Sequence, residues 1–416
     1  MGKGTIFFDY SCKFIYVICS FNVKSAPLFG CYENKYYLWP IASLCQRKKN
    51  GEMNFIKRII SWIYTLVVVT RHRLYDWGVF KSFSFDIPVV CVGNITVGGT
   101  GKTPTAEFIL SSLANHYTIA LLSRGYGRTT KGYYEVSADD VYTDVGDEPL
   151  QIKLKYPNVV VVVCEDRVAG IERIRKEHPE VNLIVMDDGF QHRRVKAKVN
   201  IIIVDSTRPI ESDNMLPLGR LRDIKSRLSA AHFFIVTKCP EEMKPLDKRL
   251  WHNKLRSIAY QKVFFSNIEP LDIAPLYEFE NRENPYFSQQ VILVSGIGNP
   301  RPFIHEAETR YTVVEKIIFP DHHRFTADDL KRIYAKLNEH PRAFILTTEK
   351  DAVRLRRARM PEKMMRSIYY QPIAMKLVEG PERDDFVESL VAEIKYKERD
   401  NKTSKRKDKS IIDEED

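Results

Sequence analysis

Two hydrophobic rhythms organise this chain from Met53 onward. Phe55, Ile56, Ile59, Ile60, Ile63, Leu66 and Val67 recur at three- and four-residue steps, which predicts an amphipathic helix over 53–78. Lys57 and Arg58 precede its apolar run, and Arg71, His72 and Arg73 follow it. The uncharged stretch 59–70 is shorter than the about 20 residues a bilayer crossing requires, so a basic helix lying in a membrane interface is expected. A helix packed on the core, or a signal sequence, is the alternative. The second rhythm is a series of short β-branched runs at 89–92, 118–122, 159–164, 183–186, 201–204, 233–236, 291–294 and 344–347. They are continuously apolar, as strands covered on both faces should be. Charged helical segments separate them, implying right-handed βαβ units, parallel sheets and an α/β fold.

The flanks read differently. Residues 1–52 are aromatic-rich, hold Cys12, Cys19, Cys31 and Cys45, and show no sustained period. They read as an atypical, dispensable extension ahead of Met53; an apolar run near 14–21 lacks the small-residue cleavage site of a signal peptide. A stretch at 267–288, rich in proline, acidic and aromatic residues, is expected to connect a larger unit, 79–285, to a smaller α/β unit, 286–396. The lysine- and acid-rich residues 397–416 have no apolar period and are expected to be disordered.

Composition narrows little. With 44% hydrophobic and 28% charged residues the chain is of the folded, mostly soluble class. A net charge of +10 and a pI near 9.0 suit nucleotide phosphates, nucleic acid or an acidic lipid surface without choosing among them. There are seven cysteines but no CxxC or Cys/His cluster, so neither a disulfide framework nor a zinc site is indicated. Cys91, Cys164 and Cys239 sit in or beside apolar runs and read as buried thiols of a reducing compartment.

The first strand runs into Gly93-Asn94-Ile95-Thr96-Val97-Gly98-Gly99-Thr100-Gly101-Lys102-Thr103-Pro104. A buried strand, a glycine-rich turn and a Lys-Thr pair opening a helix is the context of a phosphate-binding loop. Gly98, Gly99 and Gly101 let backbone N–H groups converge on phosphate oxygens, with Asn94 and Thr100 in the same cradle. Lys102 would bridge the β- and γ-phosphates, and Thr103 would turn its hydroxyl to Mg²⁺. Thr96 stands where a strict GxxxxGK[ST] pattern wants glycine.

Farther on, an apolar strand ends in Asp187-Asp188-Gly189-Phe190-Gln191-His192. A carboxylate at the rigid end of a strand is what a Walker B magnesium site requires; which aspartate meets the ion stays open. Glu148 is expected in the same metal shell. It belongs to Gly146-Asp147-Glu148-Pro149, between these motifs, where a kinase needs a carboxylate to accept a hydroxyl proton. Gln191 keeps a water-orienting, hydrolytic role open. Phe319-Pro320-Asp321-His322-His323-Arg324-Phe325 and Thr347-Thr348-Glu349-Lys350-Asp351 follow strand-like runs and read equally as loops or as site elements. Arg124, Arg128 and Arg167 follow strands, where a guanidinium suits a phosphate.

Taken together, GNITVGGTGKTP, LSRGYGR, GDEP, MDDGFQHR, the segment 216–223, SGIGNP, FPDHHRF and TTEKDAVRL resemble the tetraacyldisaccharide 4′-kinase family over about 53–395. The resemblance implies two unequal P-loop-type α/β domains joined by a hinge, with ATP and Mg²⁺ in the cleft. It implies transfer of the γ-phosphoryl group to the 4′-hydroxyl of a lipid-linked disaccharide 1-phosphate, the lipid A precursor, on the cytoplasmic face of an inner membrane. The family's catalytic carboxylate matches Asp147, and its partner histidine matches His322, with His323 the neighbouring choice. Lys102 and Thr103 match the phosphate and metal residues, Asp187, Asp188 and Gln191 the Walker B region, and Arg124, Tyr126 and Arg167 further nucleotide or acceptor positions. A soluble enzyme of small metabolites and a nucleotide-switched binding protein are the rival readings. Nucleic acid is not an expected partner, since no recognition motif accompanies the basic charge.

Overall fold

The computed structural model describes residues 39–280, 289–378 and 384–396, with side chains from Phe55 onward. Strands β1 (Val89–Gly93), β2 (Ile119–Ser123), β3 (Tyr134–Glu135), β4 (Val160–Val163), β5 (Leu183–Asp187), β6 (Val199–Asp205), β7 (Phe233–Thr237) and β8 (Lys262–Pro270) build most of one sheet. Strands β9 (Ala274–Pro275), β10 (Gln290–Ser295), β11 (Thr312–Ile318), β12 (Phe344–Thr348) and β13 (Ile368–Gln371) build a second, after which β14 (Ile373–Leu377) returns to the first. The large sheet has the order β14-β8-β7-β6-β1-β5-β2-β4-β3 and the small one β11-β10-β12-β13-β9. In the large sheet only the edge pairs β14–β8 and β3–β4 are antiparallel; in the small one only β13–β9 is. Alternation along β1 sends Val89 and Cys91 to one face and Val90 and Val92 to the other, and helices bury both. The fold is therefore the expected α/β one, with β1 central and the chain switching sides around it.

Three boundaries differ from expectation. The N-terminal helix runs from Trp39 to Asp76, starting within the segment read as aperiodic; good helix formers such as Ala42, Leu44, Gln46 and Arg47 carry its backbone. The connector expected at 267–288 begins inside β8, where Ile268, Glu269 and Pro270 pair with Met375, Ala374 and Ile373; residues 281–288 lie outside the described part. The smaller unit does not extend to 396. After β13 the chain crosses back: β14 joins the large sheet, and the helix over 384–396 lays Phe386 against Phe108 at 5.6 Å and Phe264 at 5.0 Å. Phe386 is 0% exposed there, and an aromatic side chain buries a large apolar area, which holds this segment on the larger unit. Residues 1–38 and 397–416, the remainder of the extension and the tail, are outside the described residues.

The N-terminal helix docks by a narrow face. Ser61, Val68, His72 and Tyr75 are buried, whereas Phe55, Ile56, Ile59, Trp62, Ile63, Leu66 and Val67 are 44–65% exposed. The helix is thus packed on the domain by its polar-lined face, while its apolar stripe faces away from the core. No helix among the described residues is long and apolar enough to cross a membrane.

Candidate active site

The phosphate loop emerges from β1 at the carboxyl edge of the sheet, the edge on which α/β proteins place ligands. Gly98 (φ 102°) and Gly101 (φ 87°) adopt left-handed backbone that a side chain resists, and Gly101 directly precedes the helix Lys102–Leu113. Internal hydrogen bonds brace the loop. Asn94 Nδ2 donates to Thr100 Oγ1 at 2.8 Å, Thr237 Oγ1 donates to the Thr100 carbonyl at 2.8 Å, and Lys238 Nζ donates to the Gly99 carbonyl at 2.5 Å. Behind it, Val97 N–H donates to the Arg220 carbonyl and Arg222 N–H to the Ile95 carbonyl. The loop therefore leads its backbone directly into a helix N-terminus, the kind of position that favours an anion.

β5 runs beside β1, pairing Val92 with Asp187, so both aspartates reach this loop. Their environments separate them. Asp188 is gripped by the Arg222 guanidinium, Nη1 to Oδ2 at 3.0 Å and Nη2 to Oδ1. Burial raises its carboxyl, but Arg222, Lys102 and Arg167 overcome this and hold it at about 2. Asp187 is 3% exposed and its Oδ1 has no hydrogen-bond partner. Burial, then the Glu148 and Asp188 charges, push it up to about 7 against the pull of Lys102 and Arg167. A buried carboxylate oxygen without a donor, crowded by other carboxylates, is what an oxygen-seeking divalent cation relieves. No cluster of three or more His, Cys, Asp or Glu ligands exists among the described residues.

The other half of the site comes from the small sheet. Asp147 opens the helix Asp147–Lys155 and is 7% exposed. Its Oδ1 accepts from the Glu148 N–H at 3.0 Å, and its Oδ2 lies 3.3 Å from His322 Nδ1. His323 turns away, with Nε2 2.9 Å from Asp329 and its ring stacked on Phe319, so the geometry selects His322. The tightest partner of Asp147 is one the sequence reading did not single out: Arg354, whose Nε donates to Oδ2 at 3.1 Å and whose Nη2 also bonds it. Arg354 Nη1 donates to the Gly296 carbonyl at 2.9 Å and to Asp351 Oδ1 at 2.8 Å. Lys350 bonds Glu148 Oε1 at 2.8 Å. Burial raises the Asp147 carboxyl, but the His322 bond and the Lys350 and Arg354 charges outweigh it and hold it far below the usual carboxylate range. Arg354 and Lys350 lie in TTEKDAVRL. Their i, i+4 spacing, with Asp351 and Arg354 at i, i+3 on a helix, was the available signal.

The remaining expected residues divide. Tyr126 is 66% exposed with its ring 5.7 Å from His322, at the mouth of this cluster, and Arg124 is exposed nearby in sequence. Arg167 is 3% exposed; burial and the Arg124 charge lower it to about 10, against Asp188 and Asp187. Arg128 is committed to Glu165 at 2.7 Å. The Gln191 amide, expected at the nucleotide, donates instead to the Arg222 carbonyl at 2.7 Å. Glu148, expected at the metal, shares its charge with Lys350.

Known proteins resemble this chain over most of its length. The family model described as tetraacyldisaccharide-1-P 4′-kinase matches residues 53–394. The chain is 40% identical over 329 residues to the tetraacyldisaccharide 4′-kinase of Phocaeicola vulgatus, covering 77% of this chain and 90% of that protein. It is 35% identical over 363 residues to the enzyme of that name from Bacteroides thetaiotaomicron, covering 83% and 95%. Among solved structures, LpxK from Aquifex aeolicus in complex with ATP aligns with a TM-score of 0.65 at 25% identity, covering 82% of this chain and 99% of that one.

Proposed function

This chain belongs to the tetraacyldisaccharide-1-P 4′-kinase family, and from that premise we propose how its residues divide the work of phosphoryl transfer. The reaction is ATP-dependent phosphorylation of the 4′-hydroxyl of the tetraacyldisaccharide 1-phosphate in lipid A synthesis. The observation that carries the mechanism is Asp147: a carboxylate of the large unit held by His322 and Arg354 of the small one. The Asn94–Thr103 loop cradles the ATP phosphates, with Lys102 on the γ-phosphoryl oxygens. Asp187 and Thr103, with Glu148 close by, would hold Mg²⁺, which when bound would neutralise charge across the phosphates. Asp188, fixed by Arg222, orients that shell.

The acceptor 4′-hydroxyl approaches Asp147. Its oxygen forms the new bond to the γ-phosphorus as the bond from that phosphorus to the β–γ bridging oxygen breaks, and ADP leaves. The hydroxyl proton passes to Asp147. A carboxylate held so acidic is a weak base, which suits a loose transition state in which the proton moves late and the carboxylate mainly orients the nucleophile. His322, with a side chain 42% exposed, links that carboxyl to solvent. Arg124, Arg167 and Tyr126 line the phosphate-rich approach. The exposed stripe of the N-terminal helix rests in the membrane interface, keeping the cleft beside an acceptor whose acyl chains stay in the bilayer; the protein is thereby peripheral, on the cytoplasmic face. The Gln191 side chain is committed to the Arg222 carbonyl, which disfavours a hydrolytic role for it.

Incubating the protein with γ-labelled ATP, Mg²⁺ and the tetraacyl disaccharide 1-phosphate in micelles tests this. Label should enter the lipid with wild type and nearly vanish with Asp147→Ala. An Asp147→Ala variant as active as wild type would sink the assignment of the base.

A further inference from the structure

The inner face of the N-terminal helix carries polar groups that an anchor does not need. His72 Nε2 lies 2.6 Å from Asp223 Oδ1, with side chains only 4% and 1% exposed. On the other side of the ring, Arg193 Nη1 lies 3.3 Å from Nδ1 and donates to the His72 carbonyl at 2.9 Å. Arginine only donates, so Nδ1 is the accepting nitrogen and the proton that bonds Asp223 sits on Nε2. The ring is therefore held at both ends. Asp223 Oδ1 also accepts from the Ile224 N–H at 2.8 Å, which ties the carboxylate to the backbone just after Arg222.

Arg222 is where this chain of contacts meets the chemistry. Its guanidinium grips Asp188 and donates to Asn94 Oδ1 at 2.5 Å, joining the Walker B aspartate to the phosphate loop. Its carbonyl, in turn, accepts from Tyr64 of the helix at 2.9 Å. The helix thus seizes both flanks of one residue, the Arg222 carbonyl through Tyr64 and the Asp223 carboxylate through His72. No comparable reason of burial requires it: a helix could bury Val68 and Tyr75 without placing a histidine–aspartate pair between them.

We propose that the N-terminal helix is a brace of the phosphate site as well as a membrane-facing element, with His72 a positioning residue that acts through Asp223 and Arg222 on Asp188 and Asn94. Its outer face meets lipid and its inner face holds the loop that meets ATP, so the two faces are separable by mutation. The inference rests on reading the Asn94–Thr103 loop as the ATP phosphate site.

The test uses the full chain in detergent micelles, with a fluorescent N-methylanthraniloyl-ATP for nucleotide affinity, kinase turnover, and co-sedimentation with phosphatidylethanolamine–phosphatidylglycerol vesicles. His72→Ala should weaken nucleotide affinity and turnover by roughly 10- to 100-fold, the range for losing a group that orients a ligand-binding residue, while vesicle binding stays at the wild-type level. His72→Gln, whose amide can still donate to Asp223, should recover most of the loss, whereas His72→Leu, of similar volume but without a donor, should not; a role in bulk packing alone would let Leu rescue as well as Gln. Trp62→Glu on the outer face should do the reverse, losing vesicle binding and keeping nucleotide affinity. Should His72→Ala fail to fold, Tyr64→Phe takes its place, deleting one hydroxyl from a half-buried site. Wild-type nucleotide affinity in the variant that folds would overturn the brace, whereas a wild-type protein that bound no nucleotide would overturn the phosphate-site reading instead.

Discussion

Replacing Arg354 with Met removes the cation that stands between two buried carboxylates. Arg354 is 1% exposed, and its partners Asp147 and Asp351 are 8% and 0% exposed. Met fills much of the space of the arginine stem, so the loss is electrostatic. Breaking a buried pair by deleting one partner costs about 3–5 kcal/mol, because the other charge is left buried and uncompensated. Asp351 keeps its bonds from the Gly296 N–H and Thr348 Oγ1, and Asp147 keeps the Glu148 N–H, which places the expected loss near the lower end of that range. Urea unfolding followed by circular dichroism measures it. The pH dependence gives a second handle. The folded-state carboxyl of Asp147 is depressed, so its contribution is present above the ordinary carboxylate value of about 4 and is lost as pH falls toward the depressed one. The deficit of Arg354→Met should therefore be full at neutral pH and shrink below about pH 4. A double-mutant cycle with Asp147→Asn, the partner across the two units, should return a coupling of about 0.5–3 kcal/mol. A deficit under about 1 kcal/mol, the worth of an exposed pair, or a zero coupling, would refute the claim that Arg354 is a buried strut joining the two units.

Other consequences follow from the same geometry. His322→Ala should lower turnover by about 10²–10⁴-fold, the usual worth of a positioned proton-transfer partner, with nucleotide affinity unchanged by fluorescence titration; unchanged turnover would remove His322 from the mechanism. Asp187 is raised to about 7, so in the metal-free protein its own contribution to stability is fully present below the ordinary carboxylate value of about 4 and is lost as pH rises through about 7. Mg²⁺ should flatten this dependence in thermal melts, and Asp187→Asn should abolish both effects. Charging the exposed helix stripe with Ile59→Glu and Leu66→Glu together should release the protein from vesicles while leaving its melting temperature within a few degrees, as surface changes do. Retained vesicle binding would place the lipid contact elsewhere.

The readable parts of this chain were those where burial is two-sided or chemistry constrains spacing. Strands β1, β2, β4, β5, β6, β7, β10 and β12 were legible because they are buried on both faces and so almost uniformly apolar. Strand β11 was not: it is an edge strand whose residues are mostly part-exposed, and its Thr312-Val313-Val314-Glu315-Lys316 sequence mixes charge into the run. Strands β13 and β14 flank Pro372 and join different sheets, a crossing that local pattern does not encode. In the site, the loop glycines, Lys102, Asp147, Asp187 and Asp188 stood out through motif spacing. Arg354 and Arg222 did not, because each works through a partner more than a hundred residues away, at separations of 207 and 128. His72 is invisible in the same way; in sequence it is one of a basic run, and only docking of the helix reveals Asp223 beneath it.

The central claim is that phosphate is transferred to one particular sugar hydroxyl by residues meeting at Asp147. Phosphorus and proton NMR of the purified lipid product tests this most directly, since the acceptor already carries a phosphate at its 1-position. The account predicts a second phosphomonoester coupled to the proton on the 4′ carbon, with ADP formed in equal amount and both absent for Asp147→Ala. A pyrophosphate at the 1-position, or ADP with free phosphate and unchanged lipid, would contradict it.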